Sequence, residues 1–365
     1  MHIICNTSEL TEAVLNAQMA AGTKTTSQIL EGLLFETGDD SIKITGYNQD
    51  IGIVTKVGAE IVESGNIVIN AKILGNILRL LPYERVIIKS DDRMRIQIES
   101  ANINYELMGM AAKDYPELPL MSDPSEISVQ GGVLKDMIRR TVFSAAVTDV
   151  KAVHKGIKFE VNPGELVFVA IDSHRLAIRR EFLNYNGPKD EFVVPSDTMQ
   201  QVQKLITEDE EDVVIRRGRR DVQFIIGDYT VYSRLLEGEF MRYSSILPSK
   251  YALQVKINTA ECISAVERTS VMISERIKAP LKLDITDNTV NISTETENGS
   301  SENMISCEKT GQDLVIGVQS RFILDALRAA DDEEVYINFN GKVDPICIMP
   351  LDNDSYFYLI LPVRL

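Results

Sequence analysis

Apolar and polar positions along the chain switch between two periods. Over 131–146, Val133, Leu134, Met137, Ile138, Thr141 and Val142 hold one face at helical spacing, while Lys135, Asp136, Arg139 and Arg140 hold the other. The same amphipathic pattern predicts helices over 8–20 and 259–272. Period-two segments follow each helix, bounded by turn clusters at Thr37-Gly38-Asp39-Asp40, Asn162-Pro163-Gly164-Glu165 and Thr286-Asp287-Asn288, which predict hairpins. A further strand then runs into a second helix: 67–70 into 71–81, 192–195 into 197–206, and 314–318 into 319–330. More strands close each stretch, for example 213–217 turning at Gly218 into 219–226.

This order recurs because the sequence itself recurs. Gly32-Leu33-Leu34-Phe35-Glu36 returns as Gly156-Ile157-Lys158-Phe159-Glu160 and again as Pro280-Leu281-Lys282-Leu283-Asp284, each time 124 residues on. A period that long gives each copy its own core. The reading is three similar domains at 1–123, 124–249 and 250–365, each α+β with antiparallel sheets.

Charge complicates any nucleic-acid role. The chain carries a net charge of −16, which argues against binding driven by the whole surface. The six predicted helices alone sum to +2, so everything else carries −18. Their polar faces keep one register, i, i+4, i+7: Lys72, Asn76, Arg79; Asp197, Gln201, Lys204; Arg321, Asp325, Arg328. The last position is basic every time. Two readings stand at this point: complementing the helix macrodipole, or loose contact with phosphates.

Other chemistry is sparse. The longest apolar runs, such as 356–363, are far shorter than a membrane span of roughly 18 to 20 residues, and residues 1–6 lack a basic segment leading into an apolar one. The expectation is a cytoplasmic protein with no membrane role. Cys5, Cys262, Cys307 and Cys347 have neither zinc-site spacing nor disulfide density and read as reduced thiols. Asp172-Ser173-His174 offers hydrolase residue types, yet neighbours on a strand point to opposite faces and form no relay. Gly22-Thr23-Lys24-Thr25 lacks the glycine spacing and core order of a phosphate loop. The acidic run 208–212, followed by Arg216, Arg217, Arg219 and Arg220, reads as a solvated hairpin with cross-strand ion pairs or, alternatively, an interaction patch. No catalytic, cofactor-binding or metal-binding residue is expected, and no enzymatic activity.

Three segments carry a family resemblance: 170–177 (Ala-Ile-Asp-Ser-His-Arg-Leu-Ala), Glu237-Gly238-Glu239-Phe240 with Tyr243 and Leu247-Pro248, and the terminal Leu361-Pro362-Val363-Arg364-Leu365. With the three-copy architecture, they make the whole chain resemble the bacterial DNA polymerase III beta subunit, the sliding-clamp family. That resemblance implies a head-to-tail homodimeric ring lined by helices, walled outside by sheets and threaded by duplex DNA of any sequence. It implies partners that include the polymerase III catalytic subunit, the clamp loader, other polymerases and repair proteins, docking by short linear peptides. It implies action in the cytoplasm, at the nucleoid.

Residue by residue, Lys24 matches a DNA-contacting loop position and Arg79 a basic position on a hole-facing helix. Lys72, Lys135, Arg139, Lys204 and Arg328 join them from the helix-face pattern, and Lys278 stands beside Ile277, where the family has an aromatic contact. The peptide cleft of the family maps to Ile171, Ser173, His174, Arg175, Leu176, Met241, Ile246, Val343, Pro345, Leu359, Leu361, Pro362 and Val363. Its dimer contact maps to Tyr105 and Leu107 on one side, Val271 and Met272 on the other. Departures include Asp197 at a basic position, Met241 and Arg242 within a Phe-Pro-(Asp/Asn)-Tyr stretch, Ser245 at a basic position, and Lys151-Ala152-Val153-His154 in place of larger apolar groups with Arg. Asp197 and Ile277 leave a second reading open, a clamp relative acting chiefly as a protein-interaction scaffold. An esterase-like use of Ser173 and His174 is the weakest alternative.

Overall fold

The computed structural model describes residues 1–22, 27–148, 151–273 and 279–365. Its first copy runs β1 (His2–Asn6), α1 (Thr7–Gln18), β2 (Gly32–Thr37), β3 (Ser41–Tyr47), β4 (Ile51–Glu63), β5 (Asn66–Asn70), α2 (Ala71–Leu80), β6 (Arg85–Ser90), β7 (Arg95–Ser100) and β8 (Ile103–Met108). The second repeats that order as β9 (Ser125–Gln130), α3 (Gly131–Arg139), β10 (Gly156–Asn162), β11 (Gly164–Ile171), β12 (Arg175–Leu183), β13 (Asp190–Pro195), α4 (Ser196–Leu205), β14 (Asp212–Arg217), β15 (Asp221–Ile226) and β16 (Tyr229–Arg234). The third has β17 (Leu253–Asn258), α5 (Thr259–Ser270), β18 (Leu281–Thr286), β19 (Thr289–Thr296), β20 (Gly299–Ser306), an extra short β21 (Glu308–Gly311), β22 (Leu314–Val318), α6 (Ser320–Ala330), β23 (Glu334–Phe339), β24 (Ile346–Met349) and β25 (Tyr356–Ile360). The 124-residue repeat seen in the sequence falls on β2, β10 and β18.

Local chemistry sets these elements. Each first helix follows its strand with no intervening loop, and Asn6 and Asn258 cap two of them: Asn6 Oδ1 accepts the backbone N–H of Ser8 at 2.9 Å, and Asn258 Oδ1 that of Glu261 at 2.9 Å. Asn70 caps α2 in the same way, through the Ile73 N–H at 3.0 Å. Hairpins close where the turn residues allow it, with Gly164 at φ 79° and Asp287 at φ 48°. One helix departs from expectation. The pattern continued through 146, but α3 ends at Arg139 and a 3-10 turn follows at Val142–Ser144. Thr141 Oγ1 donates to the Met137 carbonyl at 2.7 Å, and the turn lays Phe143 edge-on to Tyr358, centroids 5.5 Å apart.

Two compact units emerge, residues 1–134 with 201–235, and residues 135–200 with 236–365. The division passes through the middle copy because antiparallel pairing runs from copy to copy. In the first unit β4 pairs with β16, and in the second β12 pairs with β25. The third strand of one copy's hairpin sheet thus takes the last strand of the next copy. Each unit buries a core of aliphatic side chains between helix pair and sheets. Leu10, Val14, Leu74 and Leu78 meet Leu33, Phe35 and Ile88 in the first, and Val266, Ile323 and Leu327 meet Leu283 and Ile292 in the second.

The two copy-to-copy joints share a turn. Asn48 Oδ1 accepts the N–H of Asp50 (3.0 Å) and Ile51 (2.9 Å); 124 residues later, Asp172 Oδ1 accepts those of His174 (2.7 Å) and Arg175 (2.9 Å). Strand register agrees as well, since Gly52 faces Tyr232 as Leu176 faces Leu359. At the first joint Tyr47 and Tyr232 meet edge to face at 6.0 Å, and Leu118 approaches so closely that a Cβ on Gly52 would lie 2.5 Å from its Cδ2.

Candidate functional site

At the second joint the corresponding space is open. A cleft of about 390 Å³ is lined by Lys151, His154, Ile171, Asp172, Ser173, His174, Arg175, Leu176, Met241, Ile246, Leu359 and Leu361. Nine of the positions mapped from the sequence are therefore brought together. Lys151 and His154 entered the sequence reading only as departures, and Asp172 only within the resemblance segment 170–177 and a rejected triad. Val343, Pro345, Pro362 and Val363 lie outside this lining. Val343 is 83% exposed, and the Val363 N–H donates to the Gly317 carbonyl at 2.9 Å.

The β11–β12 turn forms one wall. Beyond its two backbone acceptances, Asp172 holds Arg175 Nε at 3.0 Å, and Arg175 Nη1 donates to Asp325 Oδ2 at 2.6 Å. The guanidinium carbon lies 4.7 Å from the Phe322 centroid and 5.5 Å from that of Phe143. Arg175, 6% exposed, is thus a buried post between two carboxylates and two rings rather than a cation offered to a ligand. Asp325 is thus shared, taking Arg175 at 2.6 Å and, through the same oxygen, its face neighbour Arg321 at 3.8 Å. The His174 carbonyl accepts the Leu361 N–H at 2.8 Å, which fixes the terminal segment against the turn, and the His174 ring sits 5.5 Å from Phe322. Val153, Phe240, Ile171, Leu176 and Leu359 share one buried cluster beneath the cleft. An apolar floor with a few fixed polar groups suits apolar side chains entering from an extended chain.

The helix faces divide into free and engaged cations. Lys72, Asn76 and Arg79 are exposed on α2, beside Ile73 and Leu80, and Lys204 is exposed on α4. Among the described residues, Lys72, Arg79 and Lys204 make no ion pair. Asp197 stands exposed in the first turn of α4, where an acid complements the helix dipole. Arg139 pairs with Asp136 at 2.8 Å and Asp331 at 3.2 Å, and Arg328 with Glu267 at 2.6 Å. Lys135 is half-buried. Arg139 and Arg140 also donate to the Arg328 and Ala330 carbonyls, capping the end of α6. Ending α3 at Arg139 leaves eight basic residues against seven acidic ones in the six helices, so the surplus is +1 rather than +2. Lys24, Ile277 and Lys278 lie outside the described residues. Tyr105 and Leu107 are half-buried on β8; Val271 is 80% exposed and Met272 half-exposed just past α5.

Arg216 pairs with Glu126 on neighbouring β9 at 2.9 Å, so this ion pair crosses strands but does not use the acidic run. Burial pushes the thiols of Cys5, Cys262 and Cys347 up to about 12, so these three stay protonated at neutral pH. Among the described residues, no three His, Cys, Asp or Glu side chains are grouped to hold a metal, and no helix is long and apolar enough to cross a membrane.

Asp136 ties α3 to β12 by accepting from Arg140 and Arg179 as well as Arg139. Burial pushes its carboxyl up, but the hydrogen bonds from Arg140 and Arg139 and the guanidinium charges outweigh this and hold it below the usual range. A depressed folded pKa gives stability that is complete above the unfolded value of about 4 and is lost as pH falls through the folded value. Urea midpoints measured from pH 7 to pH 2.5 should therefore fall less steeply in Asp136→Asn than in the parent below pH 4, from a lower starting stability.

Comparison with known proteins agrees with this architecture. Family models of the DNA polymerase III beta subunit match in order: its N-terminal domain at residues 1–119, central domain at 128–241 and C-terminal domain at 244–364. A beta sliding clamp of Staphylococcus epidermidis is 29% identical over 355 residues, 94% of each chain. The crystal structure of a putative DNA polymerase III beta subunit from Eubacterium rectale superposes with a TM-score of 0.95 at 32% identity over 100% of both chains. The DNA polymerase sliding clamp of Bacillus subtilis gives 0.96 at 28%, covering 100% of this chain and 99% of that one. Three repeated domains, the order of their elements and these likenesses converge: the chain belongs to the DNA polymerase III beta subunit family, the sliding clamps of DNA replication, and has their three-domain fold.

Proposed function

We propose that two copies of this chain close head to tail into a ring that encircles duplex DNA without reading its sequence and tethers the replicative polymerase as a non-catalytic subunit. The observation that carries the ring is the strand-pairing rule. β4 takes β16 and β12 takes β25, so the rule leaves β20 of the third copy and β8 of the first as the unsatisfied edges. Pairing β20 with the β8 of a second chain continues the same arrangement, and two such contacts close the assembly. Tyr105 and Leu107 lie on β8, and Val271 and Met272 follow α5, which packs on β20. The domains of this reading are 1–123, 124–249 and 250–365.

Lys72, Arg79 and Lys204 are the cations left to meet phosphates, with Lys24 and Lys278, outside the described residues, as further candidates from the family resemblance. Few contacts favour sliding, because grip rises with each phosphate neutralised, and the acidic remainder keeps DNA off other surfaces. The site of action is the cytoplasm, at the nucleoid. The engaged state of Arg139 and Arg328 and the acid at Asp197 favour the second reading, a scaffold with weak DNA retention. Loading on nicked circular plasmid followed by linearisation separates the two. Retention on circles with release from ends supports the ring, and equal release from both eliminates topological linkage.

The cleft is the docking site for short peptides of the polymerase, the loader and repair proteins, entering by apolar anchors. His174→Ala or Leu361→Ala should weaken such a peptide by more than ~1 kcal/mol in a titration followed by fluorescence anisotropy. Unchanged affinity would place docking elsewhere.

A further inference from the structure

Met241 and Ile246 reach the cleft from a connector that belongs to no strand, with only a 3-10 turn at Tyr243–Ile246. Something must fix such a segment if its side chains are to form a wall. Beneath it, Glu160 on β10 faces Glu191 on β13 directly across the ladder, a pairing of like charges that is unfavourable by itself. Lys158 bridges them, with Nζ 2.8 Å from Glu160 Oε1 and 2.8 Å from Glu191 Oε2. The same ammonium lies 5.8 Å from the Phe240 ring centroid and 6.0 Å from that of Tyr243. Tyr243 Oη donates to Glu160 Oε2 at 2.9 Å, and burial together with the Glu160 charge pushes its hydroxyl up, so it remains a donor. Phe240 is buried in the cluster under the cleft, with the His154 ring edge-on at 5.8 Å.

We infer that Lys158, Glu160 and Tyr243 are positioning residues of the docking cleft, mooring the 240–246 connector to β10 and β13 so that Met241 and Ile246 stand as a preformed wall. The inference rests on the docking reading above. Lys158 acts twice: it neutralises the facing carboxylates, which frees the second Glu160 oxygen to hold Tyr243, and its charge sits against both connector rings. A moored wall spares a peptide the cost of ordering the connector on binding.

The test is a binding cycle on the full-length protein, using a fluorescein-labelled capped peptide with two leucines and a phenylalanine as apolar anchors. Lys158→Met should raise Kd at least fivefold and Tyr243→Phe at least threefold at 20 °C, where circular dichroism shows each variant folded, and Lys158→Arg should return Kd to within twofold of the parent. The decisive readout is non-additivity. In a protein already carrying Met241→Ala and Ile246→Ala, adding Lys158→Met should cost less than twofold more, because the wall it positions is gone. Unchanged Kd in Lys158→Met and Tyr243→Phe, or losses that multiply in full with the wall substitutions, overturns the positioning role while leaving docking intact. If His174→Ala and Leu361→Ala also bind the peptide like the parent, docking lies elsewhere and the inference falls with it.

Discussion

Arg175→Ala is expected to lower the unfolding free energy by about 3 to 5 kcal/mol, the range for breaking a buried ion pair by removing one partner. The reason is what remains behind. Asp325 and Asp172, both largely shielded from water, would lose their shared cation, and the Phe322 and Phe143 rings would lose the guanidinium over their faces. Urea denaturation read by near-ultraviolet circular dichroism measures the loss. Replacing the pair with matched apolar residues, Arg175→Met with Asp325→Leu, should recover much of it, since well-packed apolar groups often match a buried pair in stability. A single-variant loss below about 1 kcal/mol would mean that the turn relaxes and hydrates the two acids. The same substitution should weaken peptide docking, because Arg175 holds the turn that positions His174.

The second large effect concerns closure. Val271 is 80% exposed in the single chain, so Val271→Asp should leave the protomer folded, with the circular dichroism spectrum of the parent. In the proposed ring that position would be covered, and a desolvated carboxylate without a partner costs several kcal/mol. Dimer dissociation should strengthen about 100-fold or more, read by analytical ultracentrifugation, and retention on circular DNA should vanish with it. Leu107→Asp on the opposite edge should act in the same direction. A variant that stays dimeric at nanomolar concentration would move the interface away from α5 and β20.

Much of the fold could be read from the sequence because its signals are local. Turn residues at Gly164 and Asp287, period-two strands and a repeated five-residue segment located hairpins and copies with no knowledge of partners. The misreadings share one cause, contacts made far along the chain. Thr141 and Val142 continued an apolar face, yet the helix stops to deliver Phe143 to Tyr358 and Arg175. Asp325 kept register with Arg321 and Arg328 and still meets Arg321 at 3.8 Å, yet its closer partner is Arg175 at 2.6 Å, 150 residues away. Arg139 lay on an exposed face by periodicity, yet it caps α6 and pairs with Asp136. The cleft has no local pattern at all, since a turn, a connector and the terminal strand build it, and its residues came from family resemblance. Lys158 and Glu160 entered only as members of the repeated segment, because nothing local marks a neighbouring strand's facing carboxylate.

The two joints also differ in a way the repeat makes measurable. Asn48 and Asp172 build the same turn, and the strand registers coincide, so the backbone is shared. At the first joint Tyr47, Tyr232 and the incoming Leu118 occupy the space that Ile171, Leu359 and a withdrawn connector leave empty at the second. Whether a joint of this molecule is a plugged socket or an open one is thus decided by side-chain bulk at a few aligned positions, with the scaffold indifferent to the choice.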